Sequence, residues 1–300
     1  MTDAFQVPGA HAPVESMCAD SFLSIPAAEG AIDALDATSS EVEEKGPNGF
    51  ELLGLAPELI RAVADLGYTQ PTTVQLKTIP KALPDPSHTS QGQRFIDLMV
   101  SSQTGSGKTA AFLLPVLHTL LKTQAEAEAN ERAAFERAVV EAAAKGEPAP
   151  KRPKRKDPTN ARNFKAAIPG ALVVCPTREL AQQVAHDAID LVKHCRGLRV
   201  ANVVGGMPYQ LQIAKLQNAD LVVATPGRLL DLQRSMQIKL DQVKFLVVDE
   251  ADRMLDLGFS DDLAEINQLT SQRQQTMMFS ATFAPRIQQL AMRVMHDGGS

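Results

Sequence analysis

Short apolar runs alternate with longer amphipathic stretches from about residue 50 onward. Six of these runs are apolar at nearly every position, which is typical of strands buried on both faces of a parallel sheet. They are FIDLMVSS, ALVVCPT, RVANVVGG, LVVATP, KFLVVDE and QTMMFSAT. Helical stretches such as Arg178–Cys195 and Pro208–Gln217 lie between them. The alternation predicts an α/β domain with a central, mostly parallel sheet and helices on both faces.

One segment interrupts the alternation of strands and helices. Leu121–Ala144 is rich in Ala, Glu and Arg, which predicts an exposed helix, and Gly146 with the stretch GEPAPKRPKRKDP then ends it. We therefore predict an insertion over about residues 121–165 that is partly helical and partly irregular. Its basic run, Lys151–Lys156, is expected to be a solvated face, with weak and salt-sensitive phosphate contacts as the alternative.

Residues 1–49 differ from the rest of the chain in composition and charge. They are rich in Ala, Ser, Pro and acidic residues without sustained periodicity, so we predict a mostly disordered tail. Residues 1–50 hold nine acids and a single base, Lys45, whereas the whole 300-residue chain has a net charge of −5. Residues 51–300 therefore carry a net charge of +3, which is compatible with nucleic-acid binding but does not require it.

The cysteines and the apolar runs indicate the cellular environment of the protein. Cys18, Cys175 and Cys195 follow no disulfide or zinc spacing, so we expect a reduced, cytoplasmic setting. No apolar run approaches the roughly 20 residues that a membrane-spanning helix needs, and the N-terminus lacks a secretory signal pattern. Together these features indicate a soluble globular protein without a membrane partner.

The stretch SQTGSGKT follows an apolar strand and begins a helix. It matches the phosphate-binding pattern G-x-x-x-x-G-K-[ST], except that serine replaces the first glycine. Glycines in such a loop let backbone N–H groups face a phosphate, while Lys108 reaches the β- and γ-phosphates and the Thr109 hydroxyl binds Mg²⁺. The residues predicted to bind the nucleotide here are Ser102, Gln103, Thr104, Gly105, Ser106, Gly107, Lys108 and Thr109.

The stretch VVDEADRML places carboxylates directly after another apolar strand. Alone, such acids could merely solvate a loop, but a strand that ends in acids beside a phosphate loop is used to hold Mg²⁺. We predict that Asp249 binds Mg²⁺, directly or through water, and that Glu250 orients and deprotonates the attacking water, because a metal-bound carboxylate is a poor base. With Lys108, they form the predicted catalytic set of a nucleoside triphosphatase.

Residues 249–252 read D-E-A-D, and the chain resembles the DEAD-box ATP-dependent RNA helicases of helicase superfamily 2. The resemblance covers about Phe50–Met295 and implies a RecA-like P-loop domain that uses ATP and Mg²⁺ and binds RNA. The phrases DEADRMLDLGF and TPGRLLDL are similar to the bacterial RhlE-like branch of the family.

The stretch GYTQPTTVQ resembles the adenine-recognising motif of this family. By that resemblance, Gln75 would recognise the edge of the adenine, Gln70 would lie beside it, and Phe50 would stack on the ring. Thr73 and Val74 stand where the family usually has Pro and Ile, a departure that leaves Gln75 in place.

Three further stretches, PTRELAQQ, a Gly-Gly pair and TPGRL, resemble the segments with which the family grips RNA. The chain has two Tyr and no Trp for base stacking, so we predict contacts to the sugar-phosphate backbone with little sequence specificity. The resemblance implies RNA contacts at Pro176, Thr177, Arg178, Gly205, Gly206, Thr225, Pro226, Gly227 and Arg228.

The stretch SAT resembles the motif that links the ATP site to strand separation. By that resemblance, Ser280 and Thr282 would hydrogen-bond to Asp252. Family members also carry a second RecA-like domain with an arginine finger, which we expect to lie outside this sequence. Because an inserted arginine can be worth about 10³–10⁵ in rate, we expect this chain alone to bind nucleotide weakly, to hydrolyse it slowly and not to unwind duplexes.

Three hypotheses about function remain open at this point. The first is an ATP-driven RNA helicase, and the second is an RNA clamp or annealing chaperone that uses ATP to set its residence time on RNA. The third is another P-loop ATPase, for example a DNA translocase, against which the resemblance at Phe50 and Gln75 argues. Strand-displacement and annealing assays separate the first two, and ATPase stimulation by RNA or DNA tests the third.

Overall fold

Six strands form one parallel sheet in the centre of this computed structural model. The residues that it describes are 48–85, 95–103, 105, 107–154 and 165–295. The strands are β1 (Leu98–Ser101), β2 (Ala171–Val174), β3 (Val200–Val203), β4 (Leu221–Ala224), β5 (Phe245–Val248) and β6 (Gln275–Ser280). Their order in the sheet is β1-β6-β5-β2-β4-β3, and every neighbouring pair is parallel. The predicted parallel α/β architecture is confirmed.

A helix leads into or out of each strand, and two helical boundaries differ from the prediction. The helix expected over Arg178–Cys195 ends at Leu191, and the one expected over Pro208–Gln217 is shorter by one residue at each end. The helices are α1 (Pro57–Asp65), α2 (Thr73–Ala82), α3 (Lys108–Lys145), α4 (Arg178–Leu191), α5 (Tyr209–Leu216), α6 (Pro226–Arg234), α7 (Ala251–Asp256), α8 (Ser260–Leu269) and α9 (Pro285–Val294).

Alternate residues of each central strand enter two separate cores, one on each face of the sheet. In β5, for example, Phe245 and Val247 pack with α1 to α4, whereas Leu246 and Val248 pack with α6 to α9. Both sets are buried, which explains why β2, β4 and β5 are apolar at every position. Since all six strands are parallel, their carboxyl ends meet at one edge, and the loops that follow them lie together.

Helix α3 is 38 residues long and joins two segments that the sequence presented as distinct. The helix that begins at Lys108 continues without a break through Leu121–Ala144, the stretch predicted as the helix of an insertion. It ends before Gly146, which has the left-handed φ of 68° that is common one residue after a helix. The expected irregular part begins at Glu147, and residues 155–164 lie outside the described part of the chain.

The second half of α3 leaves the body of the domain as an arm. The helix approaches the body closely at Leu120 against Gly170 and at Gln124 against Gly197, near the amino ends of β2 and β3. Residues 125–134 are exposed. We call residues 124–154 the arm. It leaves the domain at the amino edge of the sheet, opposite the loops that follow the strands. Within the described residues, no helix is both long and apolar enough to cross a bilayer.

Candidate active site

The loop between β1 and α3 is held against helix α2. Gly107 precedes α3 with φ of 81°, and a Cβ atom there would lie 2.7 Å from Gln75 Nε2 and 2.9 Å from Thr72 Oγ1. Both the backbone conformation and the close approach therefore require glycine. Lys108 and Thr109 begin the helix, as predicted from the motif. Thr104 and Ser106 of the predicted loop lie outside the described residues.

Lys108 forms a buried ion-pair cluster with the two acids that follow β5. Its Nζ lies 2.9 Å from Asp249 Oδ1 and 3.3 Å from Glu250 Oε1. Asp249 is completely buried. Burial alone would lower the pKa of Lys108, but the adjacent Asp249 and Glu250 carboxylates raise it above its ordinary value. The structure thus brings the predicted catalytic residues together although 141 positions separate Lys108 from Asp249.

Asp249 has one carboxylate oxygen without a protein partner. Its Oδ1 pairs with Lys108 and accepts a hydrogen bond of 3.0 Å from the Glu250 backbone N–H, whereas Oδ2 is buried and has no hydrogen-bond partner among the described residues. Burial raises the pKa of Asp249, although Lys108 acts in the opposite direction. A buried carboxylate oxygen without a partner is costly unless a cation or a donor binds it. The residues therefore fit the predicted Mg²⁺, for which Thr109 would supply a second oxygen.

Glu250 adopts a backbone conformation that is rare for residues with a side chain. Its φ of 48° and ψ of 56° lie in the left-handed region, which costs about 1–2 kcal/mol for an L-residue. The resulting turn directs its carboxylate towards Lys108, and Arg253 Nη1 lies 3.7 Å from Glu250 Oε2. Such conformations cluster at functional sites, where the surrounding structure holds them in place.

A cavity of about 630 Å³ lies beside the phosphate loop, a volume suited to a nucleotide. Phe50, Gln70 and Gln75 line it, together with Thr109. The Gln75 side chain donates to the Gly107 carbonyl oxygen at 3.0 Å, and it also completes a capping box at the start of α2. Phe50 is only 2% exposed and belongs to the core, so little of its ring is open to stacking in this conformation.

A second cavity of about 220 Å³ lies on the other side of Lys108 and Glu250. Asp252 and Ser280 both line it. Ser280 Oγ donates to the Thr282 carbonyl oxygen at 2.8 Å, so its proton is used within the SAT motif here, not on Asp252. Two of the three predicted coupling residues, Asp252 and Ser280, therefore share a cavity, and the bond to Asp252 stays a prediction.

The residues predicted to contact RNA lie in three neighbouring loops at the carboxyl edge of the sheet. Pro176–Arg178 follow β2, Gly205–Gly206 follow β3, and Thr225–Arg228 follow β4. Because β4 pairs with both β2 and β3, these loops are adjacent. They lie on the same edge as the phosphate loop. The topology thus joins segments that are up to about fifty residues apart into one surface.

Gly206 allows the Arg178 side chain to cross its backbone. Gly206 has φ of 84°, and a Cβ atom there would overlap Arg178 Nη1. The nearest acid to Arg178 is its neighbour Glu179, at 3.8 Å, and both side chains are exposed. An exposed pair at that distance contributes little, so the Arg178 guanidinium remains able to bind an anion.

Comparisons with known proteins agree with this geometry. A family model described as DEAD/DEAH box helicase matches residues 72–290. The chain belongs to the DEAD/DEAH box helicase family. The matched residues contain the phosphate loop, the D-E-A-D stretch and the three loops at the carboxyl edge. The predicted family is therefore confirmed, and the RhlE-like branch within it stays a prediction.

Several DEAD-box proteins are similar to this chain over most of its length. DEAD-box ATP-dependent RNA helicase 52A from Oryza sativa subsp. japonica is 41% identical over 250 residues, which are 81% of this chain and 35% of that protein. ATP-dependent RNA helicase RhlB from Pseudomonas syringae pv. tomato is 36% identical over 258 residues, which are 85% of this chain and 53% of that protein. The chain thus spans about half or less of the length of these curated relatives.

Solved DEAD-box structures share the fold. A hypothetical ATP-dependent RNA helicase from Sulfolobus tokodaii matches with a TM-score of 0.59 and 33% identity, covering 81% of this chain and 56% of that one. The yeast DEAD-box splicing factor Prp28 matches with a TM-score of 0.60 and 29% identity, covering 86% of this chain and 51% of that one. These matches confirm the RecA-like domain that the resemblance implied.

One residue beside the candidate RNA surface of this DEAD-box protein escaped the sequence analysis. Gln212, in α5, is 1% exposed, and its Oε1 accepts a hydrogen bond of 2.8 Å from Arg228 Nη1. Its Nε2 donates to the Val204 carbonyl oxygen. The Arg228 guanidinium also lies 5.7 Å from the centre of the Tyr209 ring. Gln212 thus holds Arg228 against the loop after β3, and no local motif marks it.

Proposed function

We propose that this chain is the ATP-binding half of an ATP-dependent RNA helicase. It binds ATP with Mg²⁺ and the backbone of single-stranded RNA, and ATP hydrolysis drives local unwinding of RNA duplexes. The observation that carries the proposal is the 2.9 Å contact between Lys108 of the phosphate loop and Asp249 after β5. This contact brings a phosphate-binding amine and two carboxylates into one cleft, beside a cavity of nucleotide size.

In this proposal, the phosphates of ATP replace the carboxylates as partners of Lys108. Backbone N–H groups at the start of α3 and the Lys108 ammonium bind the phosphate oxygens. Thr109 and Asp249 would hold Mg²⁺, which when bound neutralises charge on the β- and γ-phosphates. Glu250 then loses Lys108 as a partner, and its carboxylate accepts a proton from the water that attacks the γ-phosphorus.

The proposed RNA contacts follow from the chemistry of the three loops at the carboxyl edge. Arg178 and Arg228 supply positive charge, and the backbones of Gly206 and Gly227 permit close approach to sugar and phosphate. Aromatic side chains make up only 4% of the chain, so stacking on bases adds little. We therefore expect affinity for RNA of many sequences. The relatives are ATP-dependent RNA helicases, which favours unwinding over the annealing alternative.

Glu250→Gln tests the catalytic part of the proposal. The amide keeps the size of the side chain but cannot accept the proton, so ATP turnover at saturating ATP and RNA should fall by about 10²–10⁴-fold. Binding of a fluorescent ATP analogue and of RNA should persist. Glu179→Gln, an exposed glutamate one residue after Arg178, is the matched control and should leave turnover unchanged. Full turnover in Glu250→Gln would remove Glu250 from the role of base.

A comparison of RNA with DNA tests the nucleic-acid part of the proposal. ATP hydrolysis should be stimulated by RNA more than by DNA of the same sequence, since 2′-hydroxyl contacts distinguish the two. Strand displacement, measured with this half joined to a second RecA-like domain, should require ATP, whereas annealing without displacement would support the clamp hypothesis instead. Equal stimulation by RNA and DNA would contradict the assignment of RNA as the substrate.

A further inference from the structure

The chain after α3 turns back and packs along the arm helix. The Glu147 backbone N–H donates to the Ala142 carbonyl oxygen at 2.9 Å, and Ala142 is buried. Further along, the Arg152 guanidinium lies 5.3 Å from the centre of the Phe135 ring. We call residues 148–154 the strap. The two contacts lie at helix positions seven residues apart, which is about two turns, and the second one places the strap beside the helix.

The strap presents positive charge that is not balanced within it. Lys151, Arg152 and Lys154 are exposed, and residues 148–154 contain no acid. Pro150 and Pro153 restrict the backbone between these cations, so less conformational freedom is lost when an anion binds. Across the described residues, no ion pair is formed by Lys151 or Lys154. The strap is therefore a fixed row of cations.

The chemistry of the strap favours a phosphate backbone over a protein partner. Binding of phosphates needs only cations at suitable spacing, and affinity comes from the release of counterions. A protein interface usually needs an aromatic or aliphatic anchor at its centre. Phe135, the aromatic ring beside the strap, is already covered by Arg152. These side chains can therefore bind a polyanion without rearrangement of the strap.

The position of the strap separates it from the candidate RNA surface. Arg152 lies against Phe135, which follows Lys108 by 27 residues along α3. At a rise of 1.5 Å per residue, Phe135 is therefore about 40 Å from the phosphate loop. The helix runs from the carboxyl edge of the sheet to the amino edge and beyond it. A short strand held by the loops after β2, β3 and β4 therefore cannot reach the strap, whereas a longer RNA can.

We propose that Lys151, Arg152 and Lys154 form a second RNA contact, which binds the phosphate backbone of segments flanking the strand held at the carboxyl edge. This contact has no sequence specificity and depends strongly on salt. It deepens the proposed function and rests on it, because the strand at the carboxyl edge fixes which part of a longer RNA lies near the arm.

The test neutralises the strap and compares a short RNA with a long one. The variant Lys151→Gln/Arg152→Gln/Lys154→Gln is measured against a strand of about 6 nucleotides, which is too short to span about 40 Å even when extended, and against the same strand joined to a duplex of about 20 base pairs. The control variant is Lys215→Gln/Lys239→Gln/Arg293→Gln. It changes the net charge equally, at exposed positions on the side of the sheet opposite α3.

The strap variant should bind the short strand as the parent protein does. It should bind the long RNA about tenfold more weakly at low salt, and the slope of log K against log salt should be smaller by up to about 3, one for each lost phosphate contact. The control variant should resemble the parent. Unchanged thermal unfolding in both variants should accompany these results, because all six side chains are exposed.

Three results would overturn the proposal. They are an unchanged slope on the long RNA, an equal loss in the control variant, and an equal loss on the short strand. If the parent does not bind the short strand, the proposed surface at the carboxyl edge fails instead. In that case, the affinity of the isolated duplex is compared between the parent protein and the strap variant. Equal affinities would exclude the strap as an RNA contact.

Discussion

Two buried glutamine side chains each connect separate segments of the candidate site. Gln75 caps helix α2 with its oxygen and binds the Gly107 carbonyl with its nitrogen. Gln212 binds the Val204 carbonyl with its nitrogen and Arg228 with its oxygen. An amide carries its donor and its acceptor on two separate atoms of one side chain, so it can bind two segments at once. At this scale, a single uncharged residue couples two segments of the candidate site.

Substitution of Gln212 should weaken RNA binding without affecting the nucleotide. In Gln212→Met, Arg228 loses its acceptor and the buried Val204 carbonyl loses its donor, at a cost of about 1–3 kcal/mol each. In Gln212→Glu, the acceptor for Arg228 remains, so the affinity for RNA should be largely restored although stability is not. RNA titrations, ATP titrations and thermal unfolding give the three readouts. Equal losses of ATP and RNA affinity in Gln212→Met would indicate general unfolding.

Helices and strands show which parts of the sequence pattern are reliable. The six strands lie within the predicted apolar runs because burial on both faces favours apolar residues at most of their positions. The end of α4 was predicted at Cys195 but lies at Leu191. Val192 is buried and continues the apolar spacing, while Cys195 bonds back only three residues, as in a tighter turn. The apolar periodicity indicates which residues are buried, and buried residues can continue beyond the end of a helix.

Helix α3 shows a second limit of the sequence pattern. The pattern changes at Leu121 from a buried helix to an exposed one, which suggested that an insertion begins there. No glycine lies between Lys108 and Lys145, and the single proline, Pro115, lies within the buried first half without ending the helix. A change of environment along a helix is therefore not a helix boundary. The position of the strap was unpredictable because it depends on the contact between Arg152 and Phe135.

The arm should unfold without the body of the domain. Ala133→Pro places a proline in the exposed half of α3, where it removes a hydrogen bond and costs the arm about 3 kcal/mol locally. We expect loss of helical circular dichroism with little change in the unfolding midpoint or in ATP affinity. Ala188→Pro, on the buried face of α4, is the control and should lower the midpoint sharply. Equal destabilisation by both would mean that the arm stabilises the body.

At the scale of the whole molecule, the parallel sheet assembles the site from distant parts of the chain. Lys108 follows β1 and Asp249 follows β5, and β6 lies between these two strands. The motifs identified the candidate residues, and the parallel topology predicted that they meet at the carboxyl edge. The motifs could not predict that Lys108 pairs with both acids, because that depends on side-chain packing in a buried cleft.

This buried pair predicts a stability that depends on pH in Lys108→Met. Without the ammonium, Asp249 is buried alone, and its pKa, already raised by burial, rises further above the value of about 3.9 in the unfolded chain. The folded variant then holds a proton that the unfolded chain releases, so its stability falls as pH rises from about 4. We expect a penalty of about 3–5 kcal/mol at pH 8 and a smaller one at pH 5.

Urea unfolding at several pH values measures this effect. The double variant Lys108→Met/Asp249→Asn is the control, because an amide at position 249 cannot titrate and the added pH dependence should disappear. A penalty for Lys108→Met that is the same at pH 5 and pH 8 would show that Asp249 does not depend on Lys108 for its charge.

Because α3 is continuous, the arm moves together with the predicted phosphate-binding turn at the start of the same helix. From Gln124 to Lys145 the exposed part measures about 33 Å. A rotation of about ten degrees where it leaves the body therefore displaces its tip by about 6 Å, more than one full helical turn of rise. Small reorientations at the nucleotide end of this helix are thus magnified into movements that a distance probe at Lys145 could follow.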